Sequence, residues 1–211
     1  MVVRHIPRKM IREQEIAAKV RALFESSIAA KRLIIDRHLL EIVQIGRVCS
    51  ASILSGGKIM LCGNGGSAAD AQHLAAELLV RLRSQVDRAP MPAICLTMDT
   101  SSLTATSNDY SFEIYFERMV HALGKPGDVL IGITTSGKSK NILRALEAAR
   151  RKRITTVGLL GGTGQPACHY CDHSLVVPSN ETGRIQECHI TAGHAIMELV
   201  EDEVMLSGGI V

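Results

Sequence analysis

Five short segments, 58–62, 92–98, 128–134, 155–161 and 174–178, limit what this chain can fold into. Most are unbroken apolar runs rather than alternating ones, the pattern of strands buried on both faces. Helical periodicity lies between and after them, at 67–82, 113–123, 139–152 and from about Arg184 to Met205. Strands separated by helices pair in parallel, because each connection must cross back over the sheet. The expected class is therefore α/β, with helices on both faces of a parallel sheet. At 211 residues the chain is long enough for one such domain.

Two helical patterns precede the first strand and cannot be crossovers of the sheet. The first carries Ile16, Val20, Leu23, Phe24 and Ile28 as an apolar stripe. The second runs from about Leu33 to Leu54 and ends at Gly56-Gly57. Residues 1–57 thus form an N-terminal helical pair and residues 58–206 an α/β core with a long last helix. The pair either forms an oligomer contact or packs on the sheet.

Composition narrows the function. Trp is absent and aromatic residues make up 3% of the chain, which argues against base stacking on nucleic acid. The net charge of +3 is too small to signal a DNA partner by itself. The basic run Arg150-Arg151-Lys152-Arg153 ends a predicted helix, where it complements the dipole. No apolar segment reaches membrane-spanning length. The N-terminus holds Arg4, Arg8, Lys9 and Arg12 but no apolar signal core. Six cysteines in so apolar a chain do not form a secreted disulfide scaffold, and Cys62 and Cys95 fall inside buried strands. A reducing cytoplasm is the expected location.

The turn Gly63-Asn64-Gly65-Gly66-Ser67 joins the first strand to a helix, and helix N-termini attract anions. Asp70, His73 and Glu77 follow within one sector of that helix. Thr134-Thr135-Ser136-Gly137-Lys138-Ser139 stands at the matching point of the third strand, with four hydroxyls, a lysine and a helix start. A helix cap needs one hydroxyl, so the cluster points to a phosphate. Gly63-x-Gly65-x-x-Ala68 also matches a relaxed dinucleotide fingerprint, but the acidic residue that should follow about 20 positions on is missing; Asp99 comes later. No nucleotide cofactor is expected.

His73 and Glu77 are four residues apart, a spacing that lets two side chains share a metal or a substrate, or simply bond to each other. The last helix adds Gln186, Glu187, His189 and His194. Gln186 and His194 lie about 12 Å apart along a regular helix, near the limit of reach for one metal. Either the helix starts irregularly or subunits share the site. His189 reads as a packing or supporting residue. Cys168, Cys171 and His173 invite a metal reading, but no second ligand pair follows, and an ordinary polar loop is the default.

Together these residues resemble the sugar isomerase (SIS) domain proteins, and specifically the phosphoheptose isomerases. The resemblance spans about residues 10–206. It rests on Cys62-Gly-Asn-Gly-Gly-Ser67, Asp70-Ala-Gln-His73 with Glu77, Leu103-Thr-Ala with Asn108-Asp109, Thr135-Ser-Gly with Ser139, and Arg184-Ile-Gln-Glu187 with His194. It implies an SIS-type three-layer sandwich on a five-stranded parallel sheet, and a homotetramer. It assigns Asn64, Gly65, Gly66 and Ser67 to the sugar phosphate, and Asn108 and Asp109 to sugar hydroxyls. Thr134, Thr135, Ser136 and Ser139 would hold the phosphate, and Gln186 would also touch substrate. Zinc would sit on His73, Glu77, Gln186 and His194. Glu77 is then the base and His194 the acid in converting sedoheptulose 7-phosphate to D-glycero-D-manno-heptose 7-phosphate. Thr134 stands where the family commonly has Ser, and Lys138 where Asn is frequent.

The competing expectation is a non-catalytic phosphosugar-binding or replication-initiator-associating SIS protein. Such binders resemble this chain in the glycine turn and the Arg-Ile-Gln stretch but lack the residues at Glu77 and His194. Pentose-phosphate isomerases with appended regulatory domains would need a longer chain. By resemblance the product feeds activated-heptose synthesis for lipopolysaccharide, an S-layer glycan or another surface conjugate.

Overall fold

The computed structural model describes residues 13–208. The basic group Arg4, Arg8, Lys9 and Arg12, and Gly209 at the other end, lie outside the described residues. Two helices, α1 (Glu13–Arg37) and α2 (Leu39–Leu54), lead into β1 (Ile59–Gly63) and α3 (Gly66–Leu79). Then come β2 (Ala93–Cys95), α4 (Thr100–Asp109), α5 (Tyr115–Leu123), β3 (Val129–Thr134) and α6 (Lys140–Arg151). The chain ends with β4 (Thr155–Gly161), β5 (His173–Val177) and α7 (Thr182–Leu206). The strands form one five-stranded sheet in the order β2-β1-β3-β4-β5. Every pairing is parallel, with Ile59 opposite Val129 and Val129 opposite Thr155.

Period-two alternation divides the core into two layers. Ile59 and Leu61 of β1, with Ile131 and Ile133 of β3, meet α2, α3 and α7 on one face. Met60 of β1 and Leu130 of β3 meet Phe116 and Val120 of α5 and Ile142 and Leu146 of α6 on the other. Each of these side chains is essentially removed from water, a stabilisation of roughly 1.5–3 kcal/mol apiece. Covering on both faces is why the strands read as continuous apolar runs.

The structure departs from the sequence expectation in three places. The second helix does not begin near Leu33: α1 runs on to Arg37, and a one-residue break at His38 precedes α2. No glycine or proline marks that break. Strand β2 spans three residues rather than seven, because it is an edge strand preceded by Pro90 and Pro92 and followed by a turn into α4. Helix α4 itself was unexpected. Its sequence is rich in Ser and Thr, weak helix formers, but Asp99 caps it by accepting from Ser101 and Ser102 N–H at 3.1 and 3.2 Å. The carboxylate weighed for a ribose contact is thus engaged in that cap.

Helix α7 crosses both α2 and α3 on one face of the sheet. A Cβ on Gly193 would lie 2.6 Å from Leu74 Cδ1, so a larger residue there would have to displace the buried Leu74 side chain where α7 meets α3. At the C-terminal end of α3, Arg88 donates to the carbonyls of Glu77 and Leu78 at 2.7 and 2.9 Å. The same guanidinium pairs with the fully buried Glu201 of α7 at 2.7 Å, and Arg83 pairs with the other carboxylate oxygen. The stripe on α1 goes elsewhere: Ala30 and Ile34 are buried, but Phe24 and Ile28 stay 68% and 60% exposed.

His189 ties α7 to the sheet. It is fully buried and donates from Nε2 to the Leu160 carbonyl at 3.0 Å. Burial lowers its pKa from the ordinary 6.5 to about 4, against the smaller raising effect of that hydrogen bond. The folded protein therefore keeps His189 neutral while the unfolded chain protonates it below pH 6.5. Its stabilisation is complete above that pH and is lost as pH falls toward 4. Between pH 7 and 4.5 the loss amounts to about 2–3 kcal/mol. Urea unfolding of His189→Gln should show a pH dependence shallower by that amount; an unchanged dependence would contradict this role.

Candidate active site

In an open parallel sheet the ligand crevice forms where the chain direction reverses, beyond the carboxyl ends of the strands. Here β1 and β3 are neighbours, but α3 returns over one face and α6 over the other. The two loops that leave these strands are the two polar turns of the sequence.

The first turn needs its glycines. Gly65 has φ +56°, a left-handed conformation that side chains disfavour, and it occupies the N-cap of α3. The chain then closes through Ser67 N–H to Asn64 carbonyl at 3.0 Å and enters α3. In the second turn, buried Thr134 lies at the end of β3. Its Oγ1 is 3.1 Å from Ser139 Oγ and 3.4 Å from Ser136 Oγ. Ser139 occupies the N-cap of α6, yet its hydroxyl makes no capping bond. The hydroxyls of Thr134, Ser136 and Ser139 converge on one another, as a phosphate cradle would require, instead of serving the helix.

Helix α3 presents His73 and Glu77 on consecutive turns, and α7 presents His194 across from them. His73 Nε2 lies 3.1 Å from Glu77 Oε1 and 2.8 Å from His194 Nε2. The two imidazoles meet edge to face with centroids 5.0 Å apart. One donor atom from each of the three residues falls within 4.8 Å of the others. Two imidazole nitrogens and a carboxylate oxygen are a common donor set for zinc, which bonds such ligands at about 2.0–2.2 Å. The residues present therefore fit a metal ion. Glu77 is the sheltered member at 15% side-chain exposure and His73 the open one at 49%.

Asp70 stands one turn before His73. Burial pushes its carboxyl pKa up, against the lowering pull of His73 and His194. Its buried Oδ2 has no hydrogen-bond partner among the described residues. Gln186 sits two turns N-terminal of His194 on an unbroken α7, so no irregular helix start shortens the distance between them. Its carboxamide covers Gly66, where a Cβ would lie 2.5 Å from Nε2. Gln186 thus reaches the first turn of α3 from the opposite helix.

Other candidates lie apart from this gathering. Asn108 and Asp109 are exposed at the end of α4, joined to each other at 2.8 Å. Asp109 lines a cavity of about 720 Å³ with Thr106, Tyr110, Arg118 and His121, outside the His73–Glu77–His194 cluster. Cys168, Cys171 and His173 form no metal-competent trio among the described residues. Burial pushes the Cys171 thiol up to about 12, so it stays protonated. The basic run after α6 serves local structure: Arg150 donates to the His169 carbonyl and Lys152 to that of His121, both at 2.7 Å.

Two supports escaped the sequence reading. The first is the Arg83–Glu201–Arg88 group behind Glu77, whose sequence signal is an acidic residue in the apolar stripe Ile196, Met197, Val200, Val204 of α7. The second is Asn141, whose side chain reaches back to the glycine turn.

Residues 22–161 match the family model described as the SIS domain. The phosphoheptose isomerase of Aquifex aeolicus is 48% identical over 186 residues, which cover 88% of this chain and 96% of that protein. That of Rhodospirillum rubrum is 52% identical over 161 residues, 76% of this chain and 85% of its own. Among solved structures, the phosphoheptose isomerase of Neisseria gonorrhoeae superposes with a TM-score of 0.83 at 39% identity, covering 89% of this chain and 99% of that one. That of Francisella tularensis gives 0.84 at 36% identity, covering 88% and 98%. The chain belongs to the SIS-domain family and, within it, to the phosphoheptose isomerases.

Proposed function

We propose that this isomerase converts sedoheptulose 7-phosphate to D-glycero-D-manno-heptose 7-phosphate by proton transfer. The observation that carries the reading is the meeting of a carboxylate from α3 and an imidazole from α7, with a cluster of hydroxyls at the end of β3, the strand next to β1. Ketose-to-aldose conversion leaves the atom count unchanged. A proton leaves C1, a proton is delivered to C2, and a hydroxyl proton passes from O1 to O2. Glu77 takes the carbon-bound proton and returns it. His194 moves the proton between the oxygens.

Thr134, Thr135, Ser136 and Ser139 bind the phosphate with hydroxyls at the start of α6. Asn64, Gly65, Gly66, Ser67 and Gln186 line the path toward the reacting carbons, and Asn108 and Asp109 address sugar hydroxyls. His73, Glu77 and His194 would hold zinc, with Gln186 as a further ligand by resemblance. A metal held by these residues would supply Lewis-acid polarisation of the substrate carbonyl. The product enters activated-heptose synthesis for a surface polysaccharide, lipopolysaccharide among the candidates, in the cytoplasm. No helix of the described residues is long and apolar enough to cross a membrane.

Incubation with sedoheptulose 7-phosphate tests the chemistry. Wild-type protein should form the aldose, and Glu77→Gln should lose at least about 100-fold in kcat, the scale of a removed acid–base group. Dialysis against a chelator should lower wild-type turnover, with recovery on adding Zn²⁺. Equal turnover by wild type and Glu77→Gln would remove Glu77 from its role, and full activity without metal would remove zinc.

The homotetramer is supported by the exposed stripe Ile16, Val20, Leu23, Phe24 and Ile28 on α1, an apolar patch of the kind that marks protein contacts. Sedimentation should give four copies for the wild type and fewer for Phe24→Glu. A wild-type monomer would contradict the assembly.

A further inference from the structure

The crevice between β1 and β3 is bridged by one pair of side chains. Asn64, in the glycine turn, donates from Nδ2 to Asn141 Oδ1 at 3.0 Å. Asn141, in the first turn of α6, donates from Nδ2 to Asn64 Oδ1 at 2.8 Å. The two residues are 77 positions apart in the chain, Asn64 in the turn that leads into α3 and Asn141 in α6, helices on opposite faces of the sheet. Asn141 is 3% exposed, and its Oδ1 also accepts the Ile142 N–H at 3.0 Å. No other side-chain hydrogen bond among the described residues joins 63–67 to 134–141.

A reciprocal amide pair is geometrically demanding. Both donors and both acceptors are used, so both carboxamide planes and both rotamers are fixed at once. Alanine at 141 would leave the Asn64 amide without its partner beside a largely buried position. Aspartate could accept from Asn64 but could not donate to it. Glutamine would push the amide about one carbon–carbon bond too far.

The two loops grip different parts of the proposed substrate. The glycine turn leads into α3 and its His73 and Glu77, where the carbonyl end reacts. The Thr134–Ser139 loop holds the phosphate. A heptose phosphate spans both, so its fit depends on the separation between them, whereas inorganic phosphate occupies one loop only. We infer that Asn141 is a positioning residue that sets this span through Asn64, and so tunes the site to the length of its sugar phosphate. The inference rests on the isomerase reading above.

The test compares Asn141→Ala with wild type for two ligands, sedoheptulose 7-phosphate as substrate and inorganic phosphate as competitor. KM for the sugar phosphate should rise about tenfold, the scale of one lost buried hydrogen-bond pair, while the inhibition constant of phosphate moves less than about twofold. The effect of Asn141→Ala should vanish when Asn64 is already Ala, because the residue acts through its partner. Equal weakening of both ligands would mean that Asn141 merely holds the phosphate loop, and additive effects of the two substitutions would mean that it does not act through Asn64; either result overturns the inference. Should Asn141→Ala fail to fold, Asn141→Ser carries the same comparison. If the wild type binds sedoheptulose 7-phosphate without turning it over, the isomerase reading fails while calorimetric binding of the two ligands still decides the role of Asn141. If it does not bind the sugar phosphate, both fall.

Discussion

Gly193 lets α7 lie directly on Leu74 of α3, and the meeting of His73, Glu77 and His194 depends on that crossing. His73 and Glu77 come from one helix and His194 from the other, so a small change in the distance or rotation of the two separates the trio. Glycine at the closest point sets the distance. The Arg88–Glu201 pair sets the register further along: Arg88 holds the last turn of α3 by its carbonyls and α7 by its carboxylate. Breaking a buried pair by removing one partner leaves an uncompensated charge, at a cost of about 3–5 kcal/mol. That is a large share of the stability of a domain this size.

The sheet supplies the second constraint. Its strand order sends α3 and α6 to opposite faces, so the loops after β1 and β3 leave neighbouring strands at the same carboxyl edge of the sheet, where a parallel sheet binds its ligand. One side leads into helix α3 with His73 and Glu77. The other ends in hydroxyls that point at one another. A substrate with a reactive carbonyl at one end and a phosphate at the other matches this polarity. The Asn64–Asn141 bridge keeps the two sides in register.

Much of this was legible in the sequence, for definable reasons. Strands buried on both faces show as apolar runs, and β1, β3, β4 and β5 fall within a residue or so of their expected bounds. The glycine turn was legible because positive φ and close approach restrict residue choice. Helix α4 was not, since its stability comes from Asp99 and a tertiary contact rather than from propensity or a stripe. The α1–α2 break was not either, as no local residue type marks it. Spacing placed His73 beside Glu77, but only packing could bring His194 to them, because His194 is 121 residues from His73. Arg88, Glu201 and Asn141 act through long-range contacts that leave almost no local trace.

The proposed substrate lies with its carbonyl end at the α3–α7 crossing and its phosphate at the loop after β3. A crystal structure of the Glu77→Gln protein soaked with sedoheptulose 7-phosphate tests this directly. C1 and C2 should lie against residues 77 and 194, with the phosphate among Thr134, Thr135, Ser136 and Ser139. A phosphate seated elsewhere, or C1 and C2 remote from residues 77 and 194, would contradict it.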